Sequence, residues 1–265
     1  MPYLGKILLY PIKSLDGVEV EKATILSSGA LQYDREFAIF EDQDKFVNAK
    51  RYKKIHFLRA NFSLTERVIQ LQLPGSNSYA VFDLDQEQEQ LAARLSNFFG
   101  FAVKLKQNTN MGFPDDTNSP GATVISTATL TEVASWFPDM SVEEMRRRLR
   151  ANIEIGGVPA FWEDRLFTDS GEPVSFQVGD VKFLGVNPCQ RCVVPTRDSC
   201  LGETYPNFQK IFVQQRQATM PSWVAASRFN HFYALSVNTR LPTSEAGKTI
   251  KVGDNIEILP QHNKI

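Results

Sequence analysis

The sequence predicts a β-rich α+β fold in two parts, and three observations carry that prediction. Short runs rich in β-branched and aromatic residues, separated by polar or Gly/Pro turns, fill most of the first hundred residues. Helical spacing is confined to a few short stretches. Between the parts lies Asn108 to Gly121, NTNMGFPDDTNSPG, with two prolines, two glycines and almost nothing apolar, which reads as a linker or a functional loop.

Taken in order, strands are expected at Leu4 to Ile12, Val18 to Leu26, Glu36 to Phe40, Lys45 to Asn48, Phe57 to Leu64, Val68 to Leu73 and Tyr79 to Leu84. Seven consecutive strands with so little helix point to a barrel or a sandwich. Asp85 opens a helix in which Leu91, Leu95 and Phe99 recur at i, i+4 and i+8, and Gly100 stands where a C-cap belongs. One more strand, Phe101 to Gln107, precedes the loop. Beyond it come a short helix near Leu130 to Phe137 and another at Val142 to Leu149, where Ser141 and Glu144 fit the S-x-x-E capping box. Strands return at Asn152 to Ile155, Pro173 to Val178, Val181 to Val186, Phe232 to Val237 and Lys251 to Leu259, with turns at Gly179-Asp180 and Gly253-Asp254. Pro206 starts a last helix that carries Phe208, Ile211 and Phe212 at helical spacing.

The charge balance excludes some functions. Lys and Arg number 29 against 30 Asp and Glu, a net charge of −1, with no basic stripe, so nucleic acid is not an expected partner. Trp136, Trp162 and Trp223 lie in segments better read as core. No apolar run approaches the roughly 18 residues of a membrane helix, and the start has neither the apolar stretch nor the cleavage site of a signal peptide. A soluble cytoplasmic protein that does not engage a membrane is therefore expected. Three cysteines are too few for a disulfide scaffold and point to buried, reactive or metal-binding thiols.

The densest chemical signal is Asn187-Pro188-Cys189-Gln190-Arg191-Cys192, a CxxC after a probable strand with an arginine inside it. Zinc wants four ligands, and only Cys200 and the scattered His56, His231 and His262 remain to complete a set. A thioredoxin-like pair wants a helix N-terminus, and Val193-Val194-Pro195 is not one of that kind. Two buried structural thiols are the bland alternative. The fourth reading is a thiolate, Cys192, that ligates a soft transition metal beside an anion-holding Arg191. Lys13, Arg35 and Arg150 also stand at turns or strand ends. Each alone reads as a solvated charge, and Arg146 to Arg150 also reads as the basic end of a helix.

Together these segments resemble a known family. YPIKSLDG at Tyr10 to Gly17 and YDREFAIFEDQDKFVNAKR at Tyr33 to Arg51 resemble the N-terminal β-barrel domain found in front of MOSC domains. RLRANIEI at Arg148 to Ile155, Glu163, NPCQRC at Asn187 to Cys192 and IKVGDNIEI at Ile250 to Ile258 resemble the MOSC domain itself, the C-terminal domain family of molybdenum-cofactor sulfurases. The resemblance extends to the mitochondrial amidoxime-reducing component and its bacterial counterparts. It implies an N-terminal β-barrel-like domain over residues 1–115 and a MOSC β-barrel domain with peripheral helices over 116–265.

It also implies a molybdenum enzyme. By position Cys192 is the metal ligand and the catalytic centre. Lys13, Ser14, Arg35, Ser126, Arg150, Asn152 and Arg191 are the residues implied to hold the pterin and phosphate of molybdenum cofactor. Phosphate favours Arg forks and Lys point charges, which fits that set. Ser126 serves equally well as a helix cap. Ala151 stands where relatives generally have proline, and Cys200, before Gly202, reads as an incidental core cysteine. The implied reaction is reduction of N-hydroxylated compounds, such as amidoximes and hydroxylamino bases. A plant-type two-iron cluster needs four cysteines, so electrons are expected from a separate iron-sulfur, flavin or haem protein. A cofactor-binding or sulfur-carrier module, with a persulfide on Cys192, is the alternative.

Overall fold

A computed structural model describes residues 1–260, and His262 lies outside them. Fifteen strands and four α-helices occupy the described residues, so the β-rich α+β expectation holds. The first nine elements are β1 (Tyr3–Leu9), β2 (Val18–Val20), β3 (Lys22–Thr24), β4 (Phe37–Phe40), β5 (Arg59–Ser63), β6 (Val68–Gln72), β7 (Ala80–Asp83), α1 (Gln88–Phe99) and β8 (Lys104–Gln107). After the loop come β9 (Val124–Ser126), α2 (Thr127–Ser135), α3 (Val142–Leu149), β10 (Ile153–Gly156), β11 (Val174–Val178) and β12 (Val181–Gln190). The chain closes with α4 (Phe208–Ala218), β13 (Ala234–Arg240), β14 (Thr249–Lys251) and β15 (Ile256–Ile258).

One eight-stranded sheet, in the order β15-β11-β12-β13-β9-β10-β1-β2, forms the frame. It draws β1 and β2 from the start of the chain into register with β10, so Ile7 lies opposite Ile153. Leu4, Ile7, Ile153, Ile155, Phe176 and Phe183 are fully buried in its core. A second core, around Phe37, Ile39, Ile69, Leu91 and Leu95, gathers β4 with β8, the β5-β6-β7 sheet and α1. A third packs α2, α3 and α4 through Leu130, Met145, Leu149, Phe208 and Phe212.

Several expected elements change for local reasons. The run Val18 to Leu26 breaks at Glu21, because its halves pair with different partners, β2 with β1 and β3 with β14. Lys45 to Asn48 forms only an isolated bridge, Phe46 to Phe40, since the Phe40 to Phe46 connection closes too tightly for a ladder. Phe57 belongs to a 3-10 turn over Lys53–Phe57, and the strand starts after it. α2 begins at Thr127 rather than Leu130, because Ser126 caps it by accepting from the Thr129 amide at 3.0 Å. β12 runs four residues past Val186 by absorbing register shifts at Gly185/Asn187 and Pro188/Gln190, which places Cys189 on a strand. Trp223 is not core: it is 40% exposed, with the Arg165 guanidinium 4.1 Å above its ring. Cys200 is exposed as well, not a core cysteine.

α3 forms where expected. Ser141 accepts from the Glu144 amide at 3.0 Å, and Met145 and Leu149 face inward. Glu144 does not return to the cap, because its carboxylate is drawn to Arg148, 2.6 Å away, and to Ser199.

Candidate functional site

The turn after β1 starts the site. The Tyr10 amide donates to Asp34 Oδ1 at 2.9 Å, and the Tyr10 carbonyl accepts from the Arg35 amide at 2.8 Å, so the turns at Tyr10 and Arg35 are bound edge to edge. Gly17 is required where the chain folds back, since a Cβ there would lie 2.6 Å from the Tyr10 ring. Ser14, Arg35 and Arg150 all have positive φ, at 74°, 49° and 55°. Non-glycine residues seldom hold that conformation, and such strain concentrates at functional sites. Arg150 is the C-cap of α3, so its side chain leaves the helix axis and turns toward the β1 loop.

Tyr10 is the floor of the cluster. The Arg150 guanidinium lies 4.0 Å from its ring centroid and that of Arg35 5.3 Å, both within cation–π range. Burial pushes the Tyr10 phenol up to about 12, against the pull of the two arginines, so it stays neutral. Arg35 pairs with Asp34 and donates to Asn152 Oδ1 at 3.4 Å. Asn152 also donates to the Leu8 carbonyl at 3.0 Å, tying β1 to β10, and is 1% exposed. Lys13 is buried to 8% exposure. Its Nζ donates to the Phe113 carbonyl at 2.8 Å and to Asp115 at 2.5 Å. Burial lowers the Lys13 pKa, and Arg35 and Arg150 lower it further, while Asp115 opposes both effects.

Arg191, the residue just after β12, joins this group. Its amide donates to the Tyr233 carbonyl at 3.0 Å, its Nη1 approaches Cys189 Sγ at 3.3 Å, and its Nη2 donates to the Leu149 carbonyl, one residue before Arg150. Cys192 follows, exposed, with its Sγ accepting from the Val194 amide at 3.5 Å. Lys13, Arg35, Arg150, Asn152, Arg191 and Cys192 are thus linked through shared partners or adjacent backbone. Ser14 stands in the same turn and accepts from the Ala49 amide at 3.2 Å. Ser126 is apart: it is fully buried, bonded to Thr129, and reaches none of the other candidates.

The cluster is short of acceptors. Arg150 Nη2 and Arg191 Nε are buried with no hydrogen-bond partner. Such orphan donors are costly unless something supplies oxygen atoms. An anionic, oxygen-rich ligand fits that deficit, and an exposed thiol at its edge fits a soft metal. Among the described residues no group of three or more His, Cys, Asp or Glu side chains is placed to hold a metal ion.

Sequence reasoning passed over three participants. Tyr10 was visible only as part of a motif, and nothing local marks its ring as a floor. Asp115 lies in the flagged loop, but its reach to Lys13, 102 positions away, is a tertiary fact. Tyr233 is buried with an unpartnered hydroxyl, and burial raises its pKa while nearby Arg191 lowers it and Cys192 raises it. No sequence signal would have found it.

Fold and site together define a β-rich protein that gathers cationic side chains beside an exposed thiol. Residues 1–140 match the MOSC N-terminal beta barrel domain and residues 120–257 match the MOSC domain, and the chain belongs to that family. It is similar to the molybdenum cofactor sulfurase of Homo sapiens, 23% identical over 254 residues, covering 77% of this chain and 28% of that protein. The Caenorhabditis elegans molybdenum cofactor sulfurase is 25% identical over 229 residues, 78% of this chain and 30% of its own. The Drosophila mojavensis protein of the same name is 23% identical over 259 residues, 86% and 32%. The chain spans less than a third of the length of these relatives. No helix among the described residues is long and apolar enough to cross a membrane.

Proposed function

We propose that this chain binds molybdenum cofactor and, with electrons from a separate iron-sulfur, flavin or haem protein, reduces N-hydroxylated compounds such as amidoximes or hydroxylamino bases. The observation that carries the reading is the exposed Cys192 thiol beside two half-buried arginines, Arg150 and Arg191, whose buried Nη2 and Nε atoms respectively lack acceptors. When bound, the cofactor supplies two-electron redox chemistry at a metal for which Cys192 is the protein ligand.

The protein's own part is to neutralise, orient and exclude water. Lys13, Arg35, Arg150 and Arg191 offer charge-assisted donors to the phosphate and pterin oxygens. Tyr10 fixes the planes of two of these guanidinium groups from below, and Asn152 holds Arg35 in place. The thiolate side chain and the donors around it tune the bound group. Ser126 has a smaller claim on the ligand, because its hydroxyl is already spent on capping α2.

Protein made in a host that synthesises the cofactor should carry near-stoichiometric molybdenum and pterin and reduce an amidoxime with a low-potential dye as electron source. Cys192→Ser should lose molybdenum and reductase activity together. Retention of both by the variant would overturn the ligand assignment. A one-sulfur mass increase on Cys192 without bound pterin would instead select the sulfur-carrier reading, which the exposure of this thiol and the names of the relatives favour as the second possibility.

A further inference from the structure

The loop between β8 and β9 is pinned at both ends. Gly112 lies against the Asp34–Arg35 turn with φ at +67°, where a Cβ would stand 2.4 Å from the Asp34 carbonyl oxygen. The Phe113 amide donates to the Arg35 carbonyl at 2.8 Å, and its ring packs edge-on against Phe40 and Phe46. At the far end Arg240 Nε donates to the Asn118 carbonyl at 2.6 Å, and the Gly121 amide to the Thr239 carbonyl at 3.1 Å. Only Pro114 to Thr117 lie between these anchors, and there the Asp115 carboxylate meets Lys13 Nζ at 2.5 Å.

The two partners differ in setting. The Lys13 side chain is 9% exposed and that of Asp115 87%. Lys13 is Asp115's sole side-chain hydrogen-bond partner among the described residues. Lys13, with Arg35 and Arg150 behind it, holds the Asp115 carboxyl below the usual carboxylate range, so it is ionised at neutral pH. Asp34, by contrast, is 12% exposed and bonded to both Arg35 and the Tyr10 amide, so it is part of the frame. Charges at the cluster therefore sum to 4 − 2 = +2 with Asp115 in place, from Lys13, Arg35, Arg150 and Arg191 against Asp34 and Asp115. They sum to 4 − 1 = +3 once Asp115 has swung out, an excess of positive charge that a phosphomonoester dianion offsets better than a monoanion does.

We infer that Asp115 is an internal placeholder anion that occupies the phosphate position on Lys13 and is displaced, with Pro114 to Thr117, when a phosphomonoester binds. This rests on the cofactor reading above and adds a residue that sets the ligand's charge class and affinity. Displacing Asp115 costs its charge-assisted bond but little desolvation, since the side chain returns to water it already contacts.

The test uses protein from a host lacking the cofactor pathway and inorganic phosphate as probe, read by calorimetric titration and thermal unfolding. Asp115→Asn should bind phosphate about tenfold tighter than the unaltered protein, and Asp115→Ser should rank the same way. Without phosphate Asp115→Asn should melt lower, because Lys13 loses its partner, and saturating phosphate should close that gap. A merely structural Asp115 would leave the gap open. Asp116→Asn, on the same loop, should leave affinity unchanged, which separates local displacement from general charge. Lys13→Met should abolish binding in every background. Equal affinity of Asp115→Asn and the unaltered protein, with Lys13→Met still abolishing binding, overturns the placeholder and leaves the anion cradle standing. Phosphate binding that ignores Lys13→Met, or no binding in any variant, overturns both.

Discussion

His56 gives the sharpest quantitative prediction, because its charge state is set by a neighbourhood that also frames the site. It is 9% exposed, its Nε2 has no hydrogen-bond partner, and it packs against Gly202. Burial first, then Arg197, Arg150 and Arg59, push its pKa down from 6.5 to about 4, with only Asp198 opposing. The unfolded chain therefore binds a proton on His56 that the folded chain refuses between those values, so folding stability falls as pH falls through that window. Linkage for a shift of this size costs about 2 kcal/mol between about pH 7 and about pH 5.

Glu163 works in the opposite sense. It is fully buried, and burial together with the Asp164 carboxylate raises it from 4.5 to about 7. The folded state then holds a proton that the unfolded state releases, so its contribution is present at low pH and is lost as pH rises toward neutrality. The two groups oppose each other and flatten the profile. His56→Leu should become more stable, relative to the unaltered protein, by about 2 kcal/mol on going from about pH 7 to about pH 5, measured by urea unfolding at each pH. Glu163→Gln, which keeps an acceptor for the Thr129 hydroxyl now 3.0 Å away, should lose stability more steeply on acidification than the unaltered protein. A His56→Leu profile running parallel to that of the unaltered protein would refute the argument.

Three further outcomes follow from named contacts. Tyr10→Leu removes the ring beneath Arg150 and Arg35 and should weaken phosphate binding by about tenfold, whereas Tyr10→Phe keeps the ring and loses only the hydroxyl bond to Ala151, costing about 1 kcal/mol of stability with affinity unchanged. Gly112→Ala should cost about 2 kcal/mol or more in thermal unfolding, since the new Cβ meets the Asp34 carbonyl in a left-handed backbone. Ser141→Ala should cost about 1 kcal/mol through the lost cap of α3 and leave phosphate affinity untouched.

How far the sequence was legible depends on the range of the interaction. α3 was readable to the residue because its cap, its inward Met145 and Leu149 and its terminal Arg150 are local facts. The strand after Gly179-Asp180 was readable at its start and not at its end, because the shifts that carry β12 to Gln190 depend on β13, a partner from Ala234 to Arg240. The break at Glu21 was hidden for the same reason: β14, whose pairing splits that run, lies more than 220 residues later. At the site, the cation-bearing turns carried recognisable motifs. What the motifs could not convey is that Tyr10 lies under two of the cations, or that Asp115 faces a third.

The proposed function accounts for an arrangement that is otherwise unfavourable. Gathering Lys13, Arg35 and Arg150 into one buried cluster is unfavourable, since burial lowers both Lys13 and Arg150 and each cation opposes its neighbours. The fold offsets this only in part, with one fixed carboxylate on Asp34 and the π face of Tyr10. Three of the cluster's residues also hold left-handed backbone that relaxed turns would avoid. A protein that needed only a stable turn here would place glycine at those positions and leave the cations at the surface. On the proposed function an anionic ligand would offset residual positive charge, orphaned donors and strained backbone at once, and stability should rise with its concentration through mass action.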